Sequence, residues 1–269
     1  ISGAAAGITD SATVTVGGDL YATTDANNGD ITLNQLAVAS GKTITLTTND
    51  SANDNTGHAT VVNANAVKLA ASSVDGNLSA TATTGNITQT GALTITGTST
   101  LVTSADDADI TLTETSNAFT GALLVTTNDN TDGADGVYTA DVSIDGGTTG
   151  LIMGLSTIDG DLTLLNGAAI TDTGIATVAG ALSVTTDASD STITLDQLAV
   201  DGAFTLAPNG TGAVIIVNDA GLNLAASTMG GTFSGTATTG DISDSGNLAI
   251  TDAATFITAA NGSNIILDQ

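Results

Sequence analysis

The chain has 269 residues, 28 acids against two cations (Lys42 and Lys68), a net charge of −26 and no cysteine or tryptophan. This balance excludes nucleic-acid binding, which needs clustered Lys and Arg to neutralise phosphate, and the missing cysteines exclude disulfide scaffolding and thiol chemistry. Two Tyr, four Phe and one Pro rule out a large aromatic core, yet a hydrophobic content of 41% from mostly aliphatic residues is enough to order a chain.

Residues 1–7 read as the tail of a preceding unit, which places residue 1 inside a longer array. The first unit, 8–86, opens with Ile8-Thr-Asp-Ser. Ala12-Thr-Val-Thr-Val, Leu20-Tyr-Ala-Thr-Thr, Ile31-Thr-Leu and Thr43-Ile-Thr-Leu-Thr then alternate apolar and polar residues, the period of a strand with one buried face. The opening marker returns as Ile87-Thr-Gln-Thr, Ile170-Thr-Asp-Thr and Ile242-Ser-Asp-Ser, giving units of 79, 83 and 72 residues. A second marker follows, its Ile 23 residues after the Ile of each opening: Asp30–Gln35, Asp109–Glu114, Thr192–Gln197 and Asn264–Gln269. The units are thus 8–86, 87–169, 170–241 and a partial 242–269. Because the repeat phase is constant, the four Ile-Thr/Ser markers are expected to stack on one face.

Within each unit a Gly-x-Leu/Phe signature recurs at Gly18, Gly76, Gly91, Gly121, Gly160, Gly180, Gly202, Gly231 and Gly246, marking a corner before a strand. The spacing gives rungs of roughly 20 to 25 residues. Polar excursions at 48–57, 127–136 and 207–212 absorb most of the length differences between units, as surface loops do. Acid supplied almost wholly as Asp, with Glu114 the single Glu, favours turns over helices.

A string of β-sandwich modules would want a core and a linker for each module. A β-solenoid wants short strands, corner glycines, stacked aliphatics and no boundary between units, which is what the chain offers. The expectation is one continuous all-β solenoid segment over 1–269, a parallel β-helix of roughly 10 to 13 rungs, about 50 to 60 Å long at the strand spacing. Segments such as Thr84-Gly-Asn-Ile-Thr-Gln-Thr-Gly-Ala-Leu-Thr-Ile-Thr-Gly and Ser116-Asn-Ala-Phe-Thr-Gly-Ala-Leu resemble the β-strand repeats of giant bacterial surface proteins, the filamentous-haemagglutinin-like adhesins. That resemblance implies a right-handed parallel β-helix, secreted or displayed at the cell surface as a long fibre.

Candidates for chemistry are few. His58 is the single histidine and sits in a polar loop, and the Asp residues recur as turn residues where an active site would break the repeat once. No enzyme is expected. Asn128, Asp129, Asn130 and Asp132 partly match a calcium loop, although the twelfth position is Thr139 and not the usual Glu. Against calcium stands the ordinary preference of Asp and Asn for turns and left-handed backbone. The sequence therefore predicts a structural repeat segment of an extracellular fibre. Its partners would be further units of the array, other fibre molecules, or a host or cell-surface glycan or protein, with no membrane insertion. The alternative is a calcium- or glycan-binding module using the excursion loops.

Overall fold

The computed structural model describes residues 2–3, 7–25, 27–49, 56–128 and 139–269. Among them every regular element is a strand, thirty-three in all, and no helix is long and apolar enough to cross a membrane. The strands stack in parallel into two long sheets and one two-stranded sheet. We call the fifteen-stranded sheet the front and the sixteen-stranded sheet the back. The front runs through twelve successive strands from Ile8–Thr9 to Ala254–Thr258, so the chain makes twelve turns of a parallel β-solenoid.

Alternation builds the interior. Along Ile31–Val38 the residues Ile31, Leu33, Leu36 and Val38 are buried, while Thr32 is half-buried and Asn34 and Gln35 are exposed. Each inward residue stacks on its counterpart one turn away: Val67, Ile87, Ile110, Val142, Leu162, Leu182 and Phe204 form one such column on the back. All seven are buried, and the buried apolar residues other than Ala108 and Ala140 form a single cluster from Ile8 to Ile242. Corner glycines allow the turns to close to this spacing. Gly202 N–H donates to Gly180 O at 3.0 Å, and a Cβ on Gly202 would strike that same oxygen.

Each turn has a straight side, one strand such as Leu78–Ala82 or Leu162–Asn166, and a bent side, where the chain turns a shallow corner. The bent side starts at the front, as Ile8–Thr9 with Val14–Val16 and then as Ile31–Val38, whose register shifts between Leu33 and Leu36. It moves to the back for Val67–Leu69 with Ser72–Val74, Ile87–Gln89 with Leu93–Ile95, and Ile110–Leu112 with Ala118–Phe119. It returns to the front for Leu151–Met153 with Ser156–Ile158, Ile170–Asp172 with Ala176–Val178, and Ile193–Val200. It crosses again for Leu222–Leu224 with Ser227–Met229 and Ile242–Asp244 with Leu248–Ile250. All three crossings fall at the polar excursions.

This geometry corrects the expected placement of the markers. Ile8 and Ile170 lie in the front sheet, whereas Ile87 and Ile242 lie in the back. Seven turns separate Ile8 from Ile170, across two sequence units, so one unit spans three and a half turns. A half-integral number of turns puts each copy on the opposite flank from the last, and only every second copy superposes by translation along the rod.

Candidate functional site

The calcium-loop candidates divide. Asp129, Asn130 and Asp132 lie outside the described residues. Asn128 is half-buried; its carbonyl accepts Asp107 N–H at 3.1 Å and its Nδ2 donates to Ser104 O at 3.4 Å. Among the described residues no three His, Cys, Asp or Glu side chains come together as a metal site. His58 is part of the corner scaffold: its backbone N–H donates to Asp30 Oδ1 at 2.8 Å, and its Nδ1 accepts Asn77 N–H at 2.9 Å.

That arrangement is general. At the position just before a strand, an Asp or Asn oxygen accepts the backbone N–H of its counterpart one turn on. Asn86 accepts from Asp109, Asp109 from Asp141, Asp141 from Asp161, and Asp161 from Ala181, at 2.6 to 3.1 Å. Stacking acids in this way has an electrostatic consequence. Burial, reinforced by the charges of Asp161 and Asp109, holds the Asp141 carboxyl above the usual carboxylate range. Asp141 lies at the surface with its carboxyl only partly withdrawn from water; where the carboxyl stands wholly in solvent the hydrogen bond wins, and the Thr43 N–H lowers Asp19 while the Thr211 N–H and hydroxyl lower Asp190.

The two sequence markers prove to be adjacent turns of the bent side. Ile8 stacks on Ile31, Ile87 on Ile110, Ile170 on Ile193 and Ile242 on Ile265. The third residue of the first marker reaches across to the second. Asp10 accepts Gln35 N–H at 2.8 Å, Asp172 accepts Asp196 and Gln197 at 3.2 and 2.9 Å, and Asp244 accepts Asp268 and Gln269 at 3.0 and 3.3 Å. In the second unit Gln89 does the same for Glu114 at 3.3 Å and also exchanges hydrogen bonds with Asn117. These side chains replace main-chain acceptors that the corner carries out of reach.

Three serines that sequence reasoning passed over guard the crossings. Where a straight strand meets the two halves of a bent side, one N–H faces a gap. Ser72 Oγ accepts it from Leu46 at 3.0 Å, Ser156 from Val125 at 3.1 Å and Ser227 from Leu206 at 3.0 Å. Each hydroxyl donates in turn to the carbonyl two residues back, that of Ala70, Gly154 or Ala225. The signal was present in the paired Leu69-Ala-Ala-Ser and Leu224-Ala-Ala-Ser, but not in the third copy, Met153-Gly-Leu-Ser.

Beyond the front bent side the straight strands of the next turns leave a shallow groove, and it occurs twice at equivalent positions. One, of about 200 Å³, is lined by residues including Thr13, Asn34, Leu36, Val62 and Ala64. Its counterpart, of about 270 Å³, has Ile175, Asp196, Leu198, Val217 and Asp219 in those places. The scaffold is the same, but the second groove is more apolar at its mouth and more acidic at its rim.

The family model for repeats of unknown function (DUF5649) matches residues 56–126, 139–210 and 211–269, well over half of the chain. The first two matches each run from one crossing of the bent side to the next, so the family's repeat corresponds to a block of three and a half turns. No curated protein and no solved structure matches the chain. The protein is a repeat β-solenoid belonging to the family of repeats of unknown function (DUF5649).

Proposed function

We infer that the chain is a structural segment of a long secreted or cell-surface fibre, a stalk or adhesive filament of the filamentous-haemagglutinin-like kind, with no catalytic role. The observation that carries this reading is continuity. The apolar core is one cluster from Ile8 to Ile242, and backbone pairing passes through all three crossings without a linker. Stacked solenoids gain stability from each neighbouring repeat, so such a block serves as an extensible spacer. The acids support the reading too, since the carboxylates of Asp10, Asp109, Asp141, Asp161, Asp172 and Asp244 are engaged with backbone N–H groups.

Small-angle scattering on chains lengthened by one and two further units tests the spacer role. The rod should grow by about 17 Å per unit, three and a half rungs at the strand spacing. Growth as loosely jointed beads would overturn it. Antibody labelling of intact source cells tests the location: labelling without lysis is expected, and labelling only after lysis would refute surface display.

A further inference from the structure

The repeat supplies its own control for what a bare scaffold requires. Ser156 is preceded by Leu155, whereas the matching serines Ser72 and Ser227 follow Ala71 and Ala226. One turn on, Ile175 occupies a corner position held by Thr13, Ala92 and Asn247 in the other units. Leu155 is 65% exposed and Ile175 51% exposed. They are neighbours, for Ser156 N–H donates to the Ile175 carbonyl at 2.9 Å. Aliphatic side chains so exposed contribute little to the fold, and the other units close the same corners without them. Ile175 is also a wall of the 270 Å³ groove floored by Leu198 and Val217, so ridge and groove form one apolar surface.

We propose that this surface docks a polypeptide segment of another protein, one presenting an aliphatic side chain flanked by Lys or Arg. The charge pattern selects the cationic flanks. Asp196 and Asp219 rim the groove and are exposed, where the equivalent groove has Asn34 and Ala64. The lining holds no aromatic ring on which a sugar could stack. A second copy of this chain is a poor occupant, because its only cations are Lys42 and Lys68 and its net charge is −26. The reading adds a specific partner site to the spacer role and stands apart from it.

The test uses the whole chain with labelled methyl groups and a capped hexapeptide alternating Leu and Lys. Saturable shifts should appear at Leu155, Ile175, Leu198 and Val217, and not at Leu36 and Val62 of the equivalent groove. Leu155→Ala with Ile175→Thr installs residues other units carry there, so the fold is retained; affinity should fall at least tenfold. Asp196→Asn with Asp219→Asn should weaken binding and its salt dependence, and a hexapeptide alternating Leu and Glu should not bind. Equal shifts in both grooves would mean unselective attraction to an acidic rod and would overturn the proposal, as would no shift at all. Sedimentation showing a dimer that dissolves in the Leu155→Ala, Ile175→Thr chain would assign the surface to a second copy and overturn it as well.

Discussion

The straight and bent sides of one turn are held by different forces. Leu162–Asn166 pairs in register with Leu182–Thr186 at all five positions, with alternate side chains buried. On the other flank Ile170 and Thr171 pair with Ile193 and Thr194, pairing lapses, and it resumes at Ala176 with Leu198. The Asp172 carboxylate spans the lapse by accepting two N–H groups. A straight strand is specified by a pattern, whereas a corner is specified by single polar side chains, each repairing a hydrogen bond that the bend would cost.

The largest expected effect breaks the pattern itself. Ile31 is fully buried and Thr32 only half-buried. Ile31→Asp should lower stability by more than about 4 kcal/mol, because it puts an unpaired charge in an apolar column, while Thr32→Asp should cost within about 1 kcal/mol. Equal shifts of the urea midpoint would mean the inward and outward faces are exchanged.

Next in size is the loss of a single repair. Ser227→Ala leaves the buried Leu206 N–H without its acceptor and should cost about 1 to 3 kcal/mol, as should Ser72→Ala for Leu46. Ala226→Ser, at the exposed neighbour, should be close to neutral. Thermal melts of the three chains would show whether a crossing depends on the hydroxyl or merely tolerates it.

These two cases also mark what was legible in the sequence. Period-two runs such as Ile44-Thr-Leu-Thr and the Gly-x-Leu corners revealed strands, rungs and continuity, because each rests on a local pattern. All nine signature glycines precede a strand, which begins at the Leu or Phe in eight cases and at Ala203, one residue earlier, after Gly202. The alternation of faces was hidden, since it depends on how many turns a unit makes and half a turn leaves no local trace. Residues 8–38 aligning with 170–200 without a gap was a hint of the longer period. The partner of Asp172 is 25 residues away, so the sequence showed a turn acid where the structure shows a latch. The groove was invisible for a like reason, as Ile175 and Val217 meet only through stacking.

A smaller effect of opposite sign sharpens the contrast on the straight side. Ser99 lies between Leu78 and Leu123 in a buried column, and its hydroxyl has no partner. Here no corner requires a polar group, so Ser99→Ala removes a desolvated hydroxyl at little loss of packing. Stability should rise by about 1 kcal/mol. A loss of similar size would show that the hydroxyl has a role the column does not reveal.

The smallest effect tests whether the corner latch needs its charge. Burial, with Asp196 as a like-charged neighbour, holds the Asp172 carboxyl above the usual range despite two backbone N–H donors. Its folded pKa thus exceeds the unfolded one. The stability it contributes is complete below the unfolded value and is lost as pH rises through the folded value. Wild-type protein should therefore gain stability as pH falls from 7 toward 4, in the same direction as relief of the general acidic repulsion. Asp19 and Asp190 are shifted the other way, and being exposed they oppose this only weakly. Asp172→Asn removes the titration but keeps an acceptor oxygen, as Gln89 does in its own unit. The difference in urea midpoint between Asp172→Asn and wild type should be most favourable to the variant at pH 7 and should shrink toward pH 4. A difference that instead grows on acidification would mean the ionised latch stabilises the corner, and that the hydrogen bonds outweigh the burial of its charge.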